Sequence, residues 1–105
     1  MNENGVTTMT ALLIGNVGAV GDPEAMAEYR ERVGSTLALY GGWFVIRNGN
    51  FDVLEGAWQP DHLSVMGFPS AEQARRWYHS PEYREIVPLR AQTHMDLILL
   101  EGQAV

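Results

Sequence analysis

Asp22-Pro23-Glu24 sets a capping carboxylate, a ring-locked φ and an acidic first turn side by side, and so commits the chain to a helix beginning there. Met26, Tyr29, Val33, Leu37 and Tyr40 follow at spacings of three and four, giving one apolar stripe that Gly41-Gly42 ends. A second start lies at Ser70, with Gln73 completing a capping box and Ala74, Trp77 and Tyr78 on the inner side. Ser80-Pro81-Glu82 caps again at once, which predicts a break at His79 and a short restart to about Arg90. Around these helices, residues 10–20, 43–47, 62–68 and 94–100 carry the apolar runs and alternations of strands. Asn48-Gly49 supplies turn chemistry leading into residues 51–55.

The resulting order is strand, helix, strand, strand, helix, strand: an α+β domain of ferredoxin-like βαββαβ type with a four-stranded antiparallel sheet in the order 4-1-3-2. Two helices cover one face of such a sheet, yet the strands are apolar on both, so the second face calls for another copy and a homodimer is expected. At 105 residues the chain suits one domain, read as 10–105 behind a flexible tail of residues 1–9. A net charge of −6 with no lysine argues against nucleic acid, because neutralising phosphates takes clustered cations. The absence of cysteine excludes disulfides, thiolate metal sites and a cysteine nucleophile. The longest apolar run is broken by Gly15, Asn16 and Gly18, too short to span a bilayer, and the first residues lack a basic leader, so the expectation is a cytoplasmic protein without a membrane partner.

Tyr40-Gly41-Gly42, Arg47, Leu54-Glu55-Gly56, Trp58, Pro60, Phe68-Pro69-Ser70, Trp77-Tyr78, Ser80-Pro81-Glu82-Tyr83, Arg90 and Glu101-Gly102 form a series that resembles domain-of-unknown-function family 1330, of the dimeric α+β-barrel superfamily. The resemblance spans roughly residues 10–102 and is most specific from Trp77 to Tyr83. It implies a ferredoxin-like domain whose sheets pack face to face in pairs, but no reaction. Related families include cofactor-independent monooxygenases, cyclases of polyketide-like substrates and decarboxylating or dehalogenating enzymes, a kinship of fold alone. His79 stands where the family's motif carries asparagine, so no family-wide role attaches to it.

The topology collects Asn16, Arg47, His62, Ser64, Trp77, Tyr78, His79, Tyr83, His94 and Asp96 towards one end of the sheet. Period-two alternation groups Trp43, Val45 and Arg47, then His62, Ser64 and Met66, then His94, Asp96 and Ile98. If the strands are phased alike, these share one mixed face under the aromatic residues of the helix break, as a small-molecule pocket requires. Arg47 suits an anionic or enolic oxygen, or else a structural ion pair with Asp96 or Glu55. His62, His79 and His94 each have the chemistry of a general base. Arg47, His62, His79 and Asp96 make up the candidate catalytic set. Asn16, Ser64, Trp77, Tyr78, Tyr83 and His94 are candidate ligand contacts, although aromatic residues on the inner side of a helix are more often core. A metal site of His62, His94 and Asp96 is not expected, since an intervening strand separates the histidines, and no cofactor is expected either.

The reading is a small-molecule-binding dimeric barrel. Its pocket suits a cofactor-independent enzyme of cyclase, isomerase or monooxygenase type acting on a hydrophobic aromatic or polyketide-like metabolite. The main alternative is a non-catalytic binding or accessory protein, and a purely structural dimer is a third reading.

Overall fold

The computed structural model describes residues 9–103. Strand β1 (Met9–Val17) is followed by helix α1 (Pro23–Ala38), strands β2 (Trp43–Gly49) and β3 (His62–Phe68), helices α2 (Ala71–Tyr78) and α3 (Pro81–Ile86), a 3₁₀ turn (Val87–Arg90) and strand β4 (Met95–Gln103). The strands form one sheet in the order β2-β3-β1-β4, with every neighbouring pair antiparallel. That is the ferredoxin-like arrangement expected from the sequence.

Each helix start is held by the side chain anticipated for it. Asp22 accepts from the Ala25 amide, Ser70 from the Gln73 amide and Ser80 from the Tyr83 amide, each at 3.1 Å. Loss of one such cap costs about 1 kcal/mol. At the end of α1, Gly41 takes a left-handed φ of 78°, and the Gly42 amide reaches back 2.9 Å to the Leu37 carbonyl. Between α2 and α3 the chain breaks at His79, as the double cap requires.

Several boundaries differ from the sequence expectation. β1 ends at Val17 rather than at residue 20, β2 runs on to Gly49, β4 runs from Met95 to Gln103, and residues 50–61 form an irregular arm. Of the expected tail, residues 1–8 lie outside the described residues, while the Met9 backbone already belongs to β1.

Register decides which side chains meet the helices. Leu13 pairs with Met66 on one side and with Leu99 on the other, and Gly15 likewise with Ser64 and Leu97. Odd residues of β1 and β4 and even residues of β3 therefore share the helix side. There Ala11, Leu13, Val17, Met66 and Phe68 pack with Met26, Tyr29, Val33 and Leu37 of α1 and with Trp77, Tyr83 and Ile86. The other face carries Leu12, Ile14, Leu63, Val65, Trp43, Ile46, Ile98 and Leu100, and Ile98 is 59% exposed on it. The arm adds Phe51, Val53, Leu54 and Trp58, with Leu54 90% exposed. The described chain is only 17 Å thick, one sheet plus one helical layer.

Candidate functional site

Packing between the helices and the sheet is incomplete. A cavity of about 50 Å³ remains between α1, the α2–α3 segment and the helix side of the sheet. Its walls are mainly apolar: Val17, Val33, Phe44, Leu97 and three of the chain's five methionines, Met26, Met66 and Met95. Polar groups reach it from Tyr29 and Arg30 on α1, Arg47 and Asn48 on β2, Ser64 on β3, and Tyr83 on α3. The room suffices for a few waters or a small organic group, below the volume a drug-sized ligand fills.

Of the ten candidate residues, the structure brings Arg47, Ser64, Trp77 and Tyr83 to this cavity. Ser64 accepts a hydrogen bond of 2.9 Å from the Asn48 amide and so ties the end of β2 to β3. Asn48 has a left-handed φ of 51°, and the β2–β3 register shifts between Phe44 and Ile46 and again between Ile46 and Gly49. These bulges break the alternation that grouped Arg47 with Trp43 and Val45. Trp43 lies on the open face against Gly67, where a methyl group added to Gly67 would come within 2.7 Å of the indole. Arg47 turns instead to the helix side, its guanidinium 4.3 Å from the Phe44 ring centre and hydrogen-bonded to the Arg30 carbonyl. Neither Asp96 nor Glu55 pairs with it among the described residues.

Trp77 and Tyr83 stack with ring centres 4.0 Å apart, and the Trp77 Nε1 donates to Thr36 Oγ1 at 3.0 Å. The Tyr83 hydroxyl is 2.8 Å from that of Tyr29, both residues being buried. Burial, followed by the influence of Tyr83, pushes the Tyr29 phenol well above the ordinary tyrosine value, while Arg90 opposes the shift. Arg90 Nε is itself buried with no hydrogen-bond partner among the described residues.

The other six candidates lie elsewhere, and the expected common face does not form. His62 sits exposed at the start of β3, and Asn16 Oδ1, on the open face, accepts from the Asp61 and His62 amides at 2.8 and 3.2 Å. Asp96 projects on the open face, with His94 Nε2 3.0 Å from its Oδ1, both exposed. His79 caps α2 at the surface. Tyr78 lies under the Arg84 guanidinium, 4.2 Å from its ring centre, and its phenol is lowered chiefly by a hydrogen bond from Arg84. The phase error arises at β4. Leu97, Ile98, Leu99 and Leu100 are apolar on both parities, so alternation could not show which parity meets the helices. Tyr29 was legible only as part of the α1 stripe. Arg30 is the residue that helical spacing would have found, four after Met26 and three before Val33.

No group of three or more His, Cys, Asp or Glu side chains able to hold a metal occurs among the described residues. Nor is any described helix long and apolar enough to cross a membrane.

Solved structures share this fold. A protein of unknown function from Rhodopseudomonas palustris is 23% identical, covering 91% of this chain and 82% of its own, with a TM-score of 0.67. A dimeric ferredoxin-like protein of unknown function from Thermobifida fusca is 14% identical over 99% of this chain and 100% of its own, at 0.57. SnoaB, a cofactor-independent oxygenase from Streptomyces nogalater, is 14% identical over 95% and 97%, at 0.54. No curated protein matches the sequence. The family model for a domain of unknown function, DUF1330, matches residues 10–103, nearly the whole length, and the chain belongs to that family.

Proposed function

We propose that the protein is a homodimeric barrel that binds a small hydrophobic or aromatic metabolite in the cavity between its sheet and its helices. The observation carrying this reading is the cavity itself: an apolar, methionine-rich chamber reached by a few polar groups from four elements. In this reading Arg47 and the Tyr29–Tyr83 pair orient an oxygen of the ligand, and Trp77 with Tyr83 packs against its carbon skeleton. The thioethers of Met26, Met66 and Met95 yield to a ligand larger than the empty space. SnoaB, of the same fold, supports cofactor-independent oxygenation as the chemistry. A second reading, binding without turnover, is favoured by one observation: none of the three histidines lines the cavity, so no conventional base stands there.

Dimerisation through the open face is part of the proposal. An apolar sheet face in a two-layer chain leaves Trp43, Ile46, Ile98 and Leu100 half exposed, and the Thermobifida fusca relative is a dimer. Light scattering at micromolar concentration should report two chains, and a monomer would remove the barrel. For the cavity, a thermal-shift screen of small aromatic and polyketide-like compounds should find ligands whose stabilisation is lost when Trp77 or Arg47 is replaced. Oxygen uptake with those ligands then separates the two readings. Ligands indifferent to both substitutions would place binding elsewhere.

A further inference from the structure

Resting on the cavity as the ligand site, we infer that it selects an anion, a carboxylate or an enolate, through a wall whose only charged members among the described residues are arginines. The chain as a whole is acidic, with 13 Asp and Glu against 7 basic residues. Yet the charged side chains lining the cavity are Arg30 and Arg47, and no carboxylate joins them among the described residues. Arg32 is neutralised by Glu28 and Glu85, and Arg76 by Glu72, whereas Arg30 and Arg47 have no ion-pair partner among the described residues.

Arg47 spends one N–H on the Arg30 carbonyl and keeps the rest of its fork. Arg47 is exposed and Arg30 half-buried, so water screens part of each charge, yet the apolar walls beside them still favour a ligand of opposite sign. A neutral ligand leaves those charges unmatched at the wall, and a cationic one is repelled. A carboxylate or enolate meets them with charge-assisted hydrogen bonds.

The tyrosines act in the same direction. Two hydroxyls bonded to each other use one of their two protons, which leaves one for a third group. Burial holds Tyr29 in its protonated form, so the pair serves as a donor and not as a base. Arg90, which does not line the cavity, stands near Tyr29 and opposes the rise in its phenol. An anion is the ligand class that Arg30, Arg47 and the tyrosine pair can meet together.

Calorimetric titration of the full chain with matched probes tests this: benzoate, benzamide and benzylammonium, with propionate and propionamide as smaller counterparts. The acids should bind at least about tenfold more tightly than their amides, the ammonium more weakly still, and added salt should narrow the gap. Arg30→Gln and Arg47→Gln should each weaken the acids several-fold and leave the amides unmoved. Gly15 lines the cavity, with nothing closer than 3.6 Å to an added Cβ, so Gly15→Ala should be accommodated and Gly15→Val should fill the space and block the acids. Acid and amide binding equally, or an ammonium preference, overturns the charge selection while keeping the cavity as a ligand site. Acid binding that survives Gly15→Val in a folded variant puts the anion on the surface and overturns it too. If every probe in both series is silent, the cavity reading falls with it.

Discussion

Tyr29 and Tyr83 offer a direct test of whether the cavity wall is held by a closed polar pair. Their hydroxyls are 2.8 Å apart, Tyr29 is 6% exposed and Tyr83 is fully buried. Phenylalanine at either position keeps the ring, and with it the edge-on contact at 6.3 Å between centres, so the substitution removes the hydroxyl alone. The hydrogen bond lost is worth about 1 kcal/mol, and stranding the surviving buried hydroxyl raises the cost of either single variant to about 1–3 kcal/mol. Removing both hydroxyls strands neither, so the double variant should cost about as much as one single. Urea unfolding of the four proteins, at constant m-value, measures that coupling, expected at about 1–3 kcal/mol. In a domain of this size each kcal/mol lowers the melting temperature by about 4–8 °C. A double variant whose loss equals the sum of the two singles would refute the pairing.

Because the buried Tyr29 keeps its proton well above the ordinary value of 10.0, the native state binds more protons than the unfolded chain above that pH. Stability should therefore be level below pH 10 and fall as pH rises beyond it, by up to about 1.4 kcal/mol per unit, with a shallower fall in Tyr29→Phe; parallel slopes in urea melts count against it. Ile98→Asp, on the open face away from the core, should convert a dimer to a monomer in light scattering at unchanged helix content; a variant that stays dimeric would displace the interface. The His94–Asp96 pair is exposed on both sides, so His94→Ala should move stability by less than about 0.5 kcal/mol and leave probe binding intact, and a loss of binding would return His94 to the site. Trp77→Ala removes a fully buried indole and should cost about 3–5 kcal/mol in denaturant melts; a mild effect would show that the wall collapses readily.

Local chemistry carried most of the fold. Asp22-Pro23, Ser70 with Gln73, Ser80-Pro81 and Gly41-Gly42 each fix a helix end through a hydrogen bond made within a few residues, so they were legible without tertiary knowledge. The site was legible only in part, since facing depends on register and register is a property of pairs of strands. On β3, where His62, Ser64 and Met66 alternate with Leu63, Val65 and Gly67, grouping survived. On β4 a doubly apolar run concealed the phase, and on β2 two shifts of register moved Arg47 away from its expected companions. Tyr29 and Arg30 escaped because a helix that shows an obvious core stripe gives no sign that the core it faces is incompletely filled.

Three of the cavity's wall positions are unbranched thioethers, carried by α1, β3 and β4 in turn. Unbranched chains, even buried ones, repack more readily than branched ones, so the chamber's capacity is a distribution over rotamers and not a backbone dimension. Exchanging any one of Met26, Met66 or Met95 for a branched side chain of like volume would freeze part of that distribution while leaving the strand pairings alone. Relatives with the same sheet can thus part company in what they accept through three substitutions that an overlay of backbones would never reveal.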